Sequence, residues 1–366
     1  MRRVAELDGV RGIAILLVLV GHLATGVGPY PQEAFAGSGE FLLLADTVGV
    51  QVFFALSGYL ISRLLLGEVE SSGTISLRRF WWRRLRRLYP PILAICAAYL
   101  IVMLALPWTR GEAWAGSSWA GLGDIAMALT YTTNFAWLFV PFSGWLGHTW
   151  SLAVEEQFYL VWPIVVLATL TLRRRSALTA AIVAGILLTV VARAIVPESV
   201  VDRGFRWDAL LLGALVAVTG WRAPRMLAWV GVAAVVALSV VQLPADNFFY
   251  TASAIASAVV VAGAHHLGWL RSSVLVHLGH ISYSLYLWHV FVMRFSTPWW
   301  LTLTASLAAA ELSYRVIERR FMVNPPDLGR VVIDLRRPAP STAPASDQQR
   351  VPGESDATER PAGGSD

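Results

Sequence analysis

The run LDGVRGIAILLVLVGH at residues 7–22 decides how this chain folds. Between Arg11 and His22 it holds ten residues, all of them apolar or glycine. With its neighbours it forms an apolar stretch over 9–27, and about 20 such residues in a helix cross the hydrocarbon core of a bilayer. Polar Arg11 and His22 argue against a cleaved signal peptide. The run therefore predicts a membrane-spanning helix with polar groups inside it.

Nine further stretches of this kind follow, and together they predict an all-α, polytopic membrane helical bundle of about ten transmembrane helices. The composition agrees, because 14% of the residues are charged, against about 25% in soluble proteins. This composition excludes a soluble enzyme, a disordered chain and a disulfide scaffold. The single cysteine, Cys96, is interpreted as a packing residue. The predicted spans are 9–27, 44–66, 91–107, 150–171, 177–196, 207–219, 226–243, 249–267, 274–295 and 299–317.

Arginine clusters orient this bundle, because basic residues favour the cytoplasmic side of a membrane. Ten spans place every cluster inside, provided that a weaker stretch at 121–140 does not cross. If that stretch crosses, the clusters from Arg173 onward lie outside. Because the stretch contains Asp124 and Asn134, we interpret it as re-entrant or interfacial. Both termini are then cytoplasmic.

The chain divides into a membrane domain, 1–330, and a tail, 331–366. The tail is rich in Pro, Ala, Ser, Asp and Glu, and such a composition cannot bury a hydrophobic core. We therefore predict that the tail is a disordered cytoplasmic segment.

Three ionisable residues of the first span form one stripe. Arg11 and His22 are about 20° apart around a helix and about 16 Å apart along it, and Asp8 lies one turn before Arg11. Ionisable groups inside a span are costly and commonly mark functional sites. The alternative is a purely structural role for these residues. Asp8 and Arg11 would then form an ion pair that extends to the membrane surface, and His22 would be a buried histidine with its hydrogen bonds made inside the bundle.

The segment HTWSLAVEEQFY, 148–159, opens the fourth span with two adjacent carboxylates, Glu155 and Glu156. Adjacent helical residues point about 100° apart, so at most one of them faces His22 directly. Ser151 lies one turn before Glu155 and either orients that carboxylate or caps the helix.

An arginine cluster, RRFWWRRLRR at 78–87, precedes the third span. Its aromatic and basic residues suit either a phosphorylated or nucleotide ligand or anchoring to anionic lipid. The cluster residues that we select as ligand-binding candidates are Arg83, Arg84, Arg86 and Arg87.

Near the carboxyl end, ISYSLYLWH at 281–289 places Tyr283 and His289 in an apolar helix. Six positions rotate the helix about 240° beyond one full turn, so these two side chains point in different directions and need not share a pocket. Glu318 and Arg319 are interpreted as interface anchors. The histidines lack metal-ligand spacing with a carboxylate on a common face, so we assign no metal site.

The chain resembles membrane acyltransferase family three, the multi-pass bacterial acyltransferases. The runs that carry the resemblance keep the order of the family and cover about 330 residues. They are LDGVRGIAILLVLVGH (7–22), GVQVFFALSGYLI (49–61), RRFWWRRLRRLYP (78–90), HTWSLAVEEQFYLVWP (148–163), FRWDALLLGAL (205–215) and ISYSLYLWH (281–289).

The resemblance implies that residues 1–330 are a membrane acyltransferase domain in the bacterial cytoplasmic membrane. Such a domain transfers an acyl group, commonly acetyl, from acyl-CoA to a hydroxyl of a carbohydrate or secondary metabolite. No bound cofactor is expected beyond acyl-CoA as co-substrate, and no nucleic-acid partner.

The resemblance also assigns roles to individual residues. His22 would be catalytic, Glu155 a functionally important carboxylate, and Arg11 with the arginine cluster would hold acyl-CoA. Ser57-Gly58 would be a helix break. In chemical terms, neutral imidazole near pH 7 can take a hydroxyl proton, and a carboxylate such as Glu155 could orient it.

Two alternatives stay open. The polar groups could form the substrate path of a transporter or flippase. If the chain is an acyltransferase, the acyl group could pass directly to the acceptor or through an acyl-enzyme on His22 or Ser57.

Overall fold

A computed structural model describes residues 4–25, 44–105, 118–135, 144–171, 175–195, 206–241, 247–295 and 298–322. Within these residues the chain is helical, and none of them forms a β-strand. The predicted tail, 331–366, and both chain termini lie outside the described residues.

Twelve α-helices follow one another through the described ranges. Short 3₁₀ turns precede α5 and follow α9, and a π-helical turn, Tyr314–Glu318, joins the last two helices. The helices are α1 Ala5–Thr25, α2 Ala45–Ser72, α3 Leu77–Ala105, α4 Ser118–Thr130, α5 Trp150–Thr171, α6 Arg175–Ile195, α7 Trp207–Thr219, α8 Arg225–Val240, α9 Asn247–Gly263, α10 Ser273–Met293, α11 Trp299–Ser313 and α12 Arg319–Met322.

Each of the ten predicted spans coincides with one of these helices. Six helical segments in the described part of the chain are long and apolar enough to cross a membrane, which makes the chain a multi-pass membrane protein. A count of ten crossings and cytoplasmic termini stay predictions. The six segments are Ala5–Ala24, Ala45–Ser72, Leu77–Ala105, Gly147–Thr169, Ser176–Ile195 and Asn247–His266.

The third span begins earlier than predicted. We expected a helix over 91–107 preceded by a basic segment, but α3 is one helix from Leu77 to Ala105 that contains Pro90 and Pro91. The arginine cluster is thereby helical and continuous with the third span. Within the predicted re-entrant stretch, 121–140, the first residues belong to α4 and Thr133–Phe135 form a 3₁₀ turn. Residues 136–140 lie outside the described residues.

Helix α2 packs against α1, α7 and α9 and runs through Ser57-Gly58 without interruption, so the helix break expected there is wrong. The reason for glycine is close packing: a Cβ on Gly58 would overlap the carbonyl oxygen of Leu210 in α7. A Cβ on Gly213 would likewise overlap the Ala55 carbonyl oxygen. Small residues let two membrane helices approach each other closely.

A second correction concerns Glu318, which we expected to anchor the chain at the membrane interface. Its side chain is fully buried and accepts a hydrogen bond from Ser284 of α10 at 2.9 Å. The carboxylate therefore joins the end of the bundle to α10.

We expect Gly58→Ala to destabilise the protein. A Cβ there meets backbone, which cannot move aside as a flexible side chain can, and overpacking of this kind costs about 1–3 kcal/mol. Thermal unfolding of purified protein in detergent measures the effect. Gly123→Ala in α4 is the matched control, because a Cβ at Gly123 meets nothing within 4 Å. Equal melting temperatures for both variants would contradict the close α2–α7 contact.

Candidate active site

Polar side chains gather at two depths of the bundle. One group lies around Ser57, midway along α2, and the other lies around Asp46, at the beginning of α2. Because 11 residues separate these positions, Ser57 and Asp46 are about 16 Å apart along the helix. Arg11 and His22 repeat the same separation along α1.

The first group lines an internal cavity of about 80 Å³, here called the chamber. Ser57 of α2 donates a hydrogen bond to Glu155 Oε1 of α5 at 3.0 Å. Tyr159, one turn after Glu155, donates to its Oε2 at 3.1 Å and lies 2.8 Å from the Ser57 hydroxyl. Arg11 and Arg84 also line the chamber, so a carboxylate faces two guanidinium groups.

This arrangement corrects the expected role of Glu155. We predicted that it could orient the imidazole of His22, but its two oxygens are hydrogen-bonded to Ser57 and Tyr159. The reason is depth: Glu155 packs at the level of Ser57, while His22 packs at the level of Asp46. Ser151, the other candidate partner for Glu155, is instead bonded to Tyr286.

A larger cavity of about 1500 Å³ lies beside the chamber along the arginine cluster. Arg83, Arg84, Arg86 and Arg87 all line it, but only Arg84 and Arg87 line the chamber as well. Arg83 is 3.5 Å from the Glu68 carboxylate. The guanidinium of Arg84 lies over the Tyr159 ring, 5.0 Å from its centre. The two cavities therefore meet at Arg84 and Arg87.

Tyr131 lines both cavities at this junction. Its backbone is in the left-handed region, with φ of 52°, which is uncommon for a residue other than glycine and is often found at functional sites. Gln157 donates to the Tyr131 carbonyl at 3.0 Å and holds this turn against α5. Burial raises the pKa of the Tyr131 phenol well above its ordinary value, so the side chain stays neutral.

The second group, here called the histidine cluster, consists of His22, Asp46, His148 and His289. His22 Nδ1 is 2.8 Å from His289 Nε2, and His22 Nε2 is 3.4 Å from Asp46 Oδ2. The His148 and His289 rings lie edge to face with centres 5.6 Å apart. The side chains of His22 and Asp46 are 14% and 26% exposed, so this end of the cluster is accessible.

Tyr286 of α10 lies between the chamber and the histidine cluster. Its ring lines the chamber and is 5.6 Å from the His289 ring. Its hydroxyl donates to the His148 carbonyl at 2.7 Å and accepts from Ser151 at 2.6 Å. Tyr286 therefore connects the chamber with the histidine cluster.

The remaining predicted site residues are distributed among these features. Asp8 lies 3.7 Å from Arg11 and 3.4 Å from His280. Tyr283 lines the chamber and donates to the Leu88 carbonyl at 2.8 Å, whereas His289 belongs to the histidine cluster. The helical wheel had indicated that Tyr283 and His289 need not share a pocket. No group of three metal-ligating side chains is arranged around a metal position in the described ranges.

Sequence reasoning missed Asp46, His148 and Tyr159 as site residues. Asp46 stands alone at the edge of an apolar stretch, and a carboxylate at such an edge is equally typical of a helix N-terminus. Its proximity to His22 depends on how α1 packs on α2. The run that begins at His148 did contain a signal, because a histidine and a tyrosine flank its two glutamates.

The arrangement can carry out acid–base chemistry between two compartments of the bundle. The histidine cluster holds an imidazole beside a carboxylate at an accessible end, a pairing suited to proton transfer from a hydroxyl. The large cavity and the chamber hold arginines suited to a phosphorylated ligand. The site therefore has separate places for a hydroxyl-bearing molecule and an anionic one.

Comparison with known proteins bears on this chemistry. An acyltransferase domain model matches residues 4–310. A Staphylococcus aureus (strain COL) protein, named as a putative O-acetyltransferase, is 29% identical over 371 residues, which cover 88% of this chain and 58% of that protein. No solved structure matches.

Peptidoglycan O-acetyltransferase OatA of Listeria monocytogenes is 27% identical over 364 residues, which cover 86% of this chain and 55% of that protein. The chain therefore spans little more than half the length of these curated relatives.

Proposed function

Because the chain belongs to the acyltransferase family whose domain model spans residues 4–310, we propose that it is an integral membrane O-acyltransferase. It moves an acyl group, acetyl in the simplest case, from acyl-CoA to a hydroxyl of a carbohydrate or secondary metabolite. The acyltransferase domain is residues 1–330, in the bacterial cytoplasmic membrane. The single observation that carries this proposal is an arginine-lined chamber that extends along α2 from Ser57 to Val50, one turn from the pair formed by Asp46 and His22.

The donor enters through the large cavity. Acyl-CoA carries phosphates, and Arg84 and Arg87 lie where this cavity meets the chamber. Arginine binds phosphate oxygens with charge-assisted hydrogen bonds. The volume of about 1500 Å³ exceeds the roughly 300–1,000 Å³ of ordinary small-molecule sites, so it has room for a nucleotide and its extended arm. The acyl end of that arm passes through the chamber toward Val50, one turn from Asp46, where the acceptor's hydroxyl meets it.

The acceptor approaches the histidine cluster. His22 takes the hydroxyl proton as the O–H bond breaks, and the oxygen attacks the thioester carbonyl. The C–O bond forms, the C–S bond breaks and CoA leaves as a thiolate, which takes up the proton. Asp46 lies 3.4 Å from His22 Nε2 and stabilises the positive charge that forms on the ring. Direct transfer is the working mechanism, and an acyl-enzyme on His22 or Ser57 is its alternative.

A glycan is the acceptor class that we favour. The name of the Listeria monocytogenes relative assigns peptidoglycan as its substrate, and peptidoglycan is rich in hydroxyl groups. The accessible end of the histidine cluster, with Asp46 26% exposed, is where a polymer too large to enter the bundle could present one hydroxyl.

The proposal is tested with purified protein, radiolabelled acetyl-CoA and a panel of hydroxylated acceptors that includes peptidoglycan fragments. We expect release of free CoA and labelled acceptor only when both substrates are present. Label that stays on the protein when the acceptor is omitted would indicate an acyl-enzyme. Vesicles that accumulate unmodified acceptor without acylating it would refute the proposal in favour of a transporter. Transfer from another acyl donor only would refute the role of acyl-CoA.

A further inference from the structure

The histidine cluster contains a series of hydrogen bonds whose direction can be deduced. His289 Nδ1 is 3.0 Å from the carbonyl oxygen of Leu285, one turn earlier in α10. A carbonyl oxygen only accepts, so Nδ1 of His289 carries the hydrogen. His289 is fully buried and contacts no carboxylate in the described part of the chain. An unpaired charge buried in this way is costly, so the ring is neutral and its Nε2 is an acceptor.

The tautomer of His22 follows from that of His289. His289 Nε2 lies 2.8 Å from His22 Nδ1, and an acceptor at this distance requires a donor opposite it. His22 Nδ1 therefore carries the hydrogen, and the neutral ring has its lone pair on Nε2. The rings are nearly parallel, 23° apart, with centres separated by 5.0 Å, so the contact orients the whole imidazole.

We propose that His289 is a positioning residue that holds His22 in the Nδ1–H tautomer, which makes Nε2 the atom that takes the acceptor's proton. This inference rests on the proposed function and goes beyond it, because it gives His289 a role in orienting the base rather than in binding a substrate. In histidines generally, the hydrogen bond made by one ring nitrogen determines whether the other nitrogen is protonated.

Asp46 lies beside the same nitrogen and favours its protonated form. The Thr47 backbone N–H donates to Asp46 Oδ1 at 2.6 Å, which fixes the carboxylate and leaves Oδ2 facing His22. While His22 is neutral, Nε2 and Oδ2 both accept, and no hydrogen bond joins them across their 3.4 Å. When Nε2 takes up a proton from the acceptor, the ring becomes a cation 3.4 Å from the carboxylate, and the two opposite charges attract each other. The carboxylate therefore stabilises the protonated ring selectively.

The experiment is ¹⁵N NMR of histidine-labelled protein in detergent, with the His22 signals identified by their loss in His22→Ala. The chemical shifts of Nδ1 and Nε2 distinguish the two tautomers. We expect the Nδ1–H form in the unaltered protein and a mixture of both tautomers in His289→Leu. His289→Gln, whose amide oxygen can accept from Nδ1–H, should restore the Nδ1–H form. His277→Leu, at an exposed position of α10, is the control and should change nothing.

Steady-state kinetics on the same variants test the consequence for catalysis. His289→Leu should lower kcat about 10- to 100-fold, as loss of the orienting partner does for metal-bound histidines, with the KM for acyl-CoA unchanged. His289→Gln should recover a large part of kcat. A purely structural role would lower the amount of folded protein in both variants and would leave kcat per folded molecule alike.

Three results would overturn the inference: an Nε2–H tautomer of His22 in the unaltered protein, an unchanged tautomer in His289→Leu, or equal losses of kcat in the Leu and Gln variants. Absence of any acyl transfer by the unaltered protein would count against the proposed function instead, because the tautomer is read without turnover.

Discussion

His22→Ala is expected to abolish acyl transfer while leaving donor binding intact. Loss of a general base costs about 10²–10⁴-fold in rate, and the imidazole is the only group of the histidine cluster that is accessible and faces a carboxylate. Acyl-CoA should still bind, since Arg11, which lines the chamber, lies about 16 Å from His22 along α1. Steady-state kinetics with both substrates varied, on quantified folded protein, separates kcat from the KM for the donor.

The matched control for this prediction is His277→Ala. His277 is also a partly exposed histidine beside a carboxylate, 3.1 Å from Glu311, but it lies outside both the chamber and the histidine cluster. We expect its kcat to equal that of the unaltered protein. A kcat close to normal in His22→Ala would refute the assignment of His22 as the base.

The double variant Arg84→Gln/Arg87→Gln is expected to raise the KM for acyl-CoA about 100-fold or more. Each lost hydrogen bond to a charged phosphate is worth roughly 1.5–3 kcal/mol, and 1.4 kcal/mol corresponds to a tenfold change. Both residues line the junction between the two cavities, so we expect them to contact a donor that extends from the large cavity into the chamber. The value of kcat at saturating donor should change far less.

Two single variants calibrate this effect. Arg83→Gln should raise the KM less, because Arg83 is near Glu68 and does not line the chamber. Arg315→Gln should leave it unchanged, because Arg315 is 68% exposed and paired with Glu311. If the donor KM stayed constant in the double variant and only membrane insertion suffered, the cluster would be a lipid anchor, the alternative that its composition allowed.

The helical wheel predicts relations between residues of one helix but not contacts between helices. The wheel correctly separated Tyr283 from His289 and correctly placed Arg11 and His22 on one face, because both are relations within a single helix. It could not choose the partner of His22. Glu155 was the prominent carboxylate, yet the neighbour in the bundle is Asp46. Depth in the bundle depends on where each helix begins and how it crosses the next one.

Local properties of the chain determined the helical membrane architecture, since an apolar stretch long enough to cross a bilayer has to form a helix that satisfies its own backbone. Each predicted span therefore coincides with a helix. The contacts of the site were decided by tertiary packing. His22 and His289 are 267 positions apart, and no periodicity relates them. They meet because glycines let the helices approach closely, as at Gly12 of α1 and Gly279 of α10, where a Cβ would overlap the facing backbone.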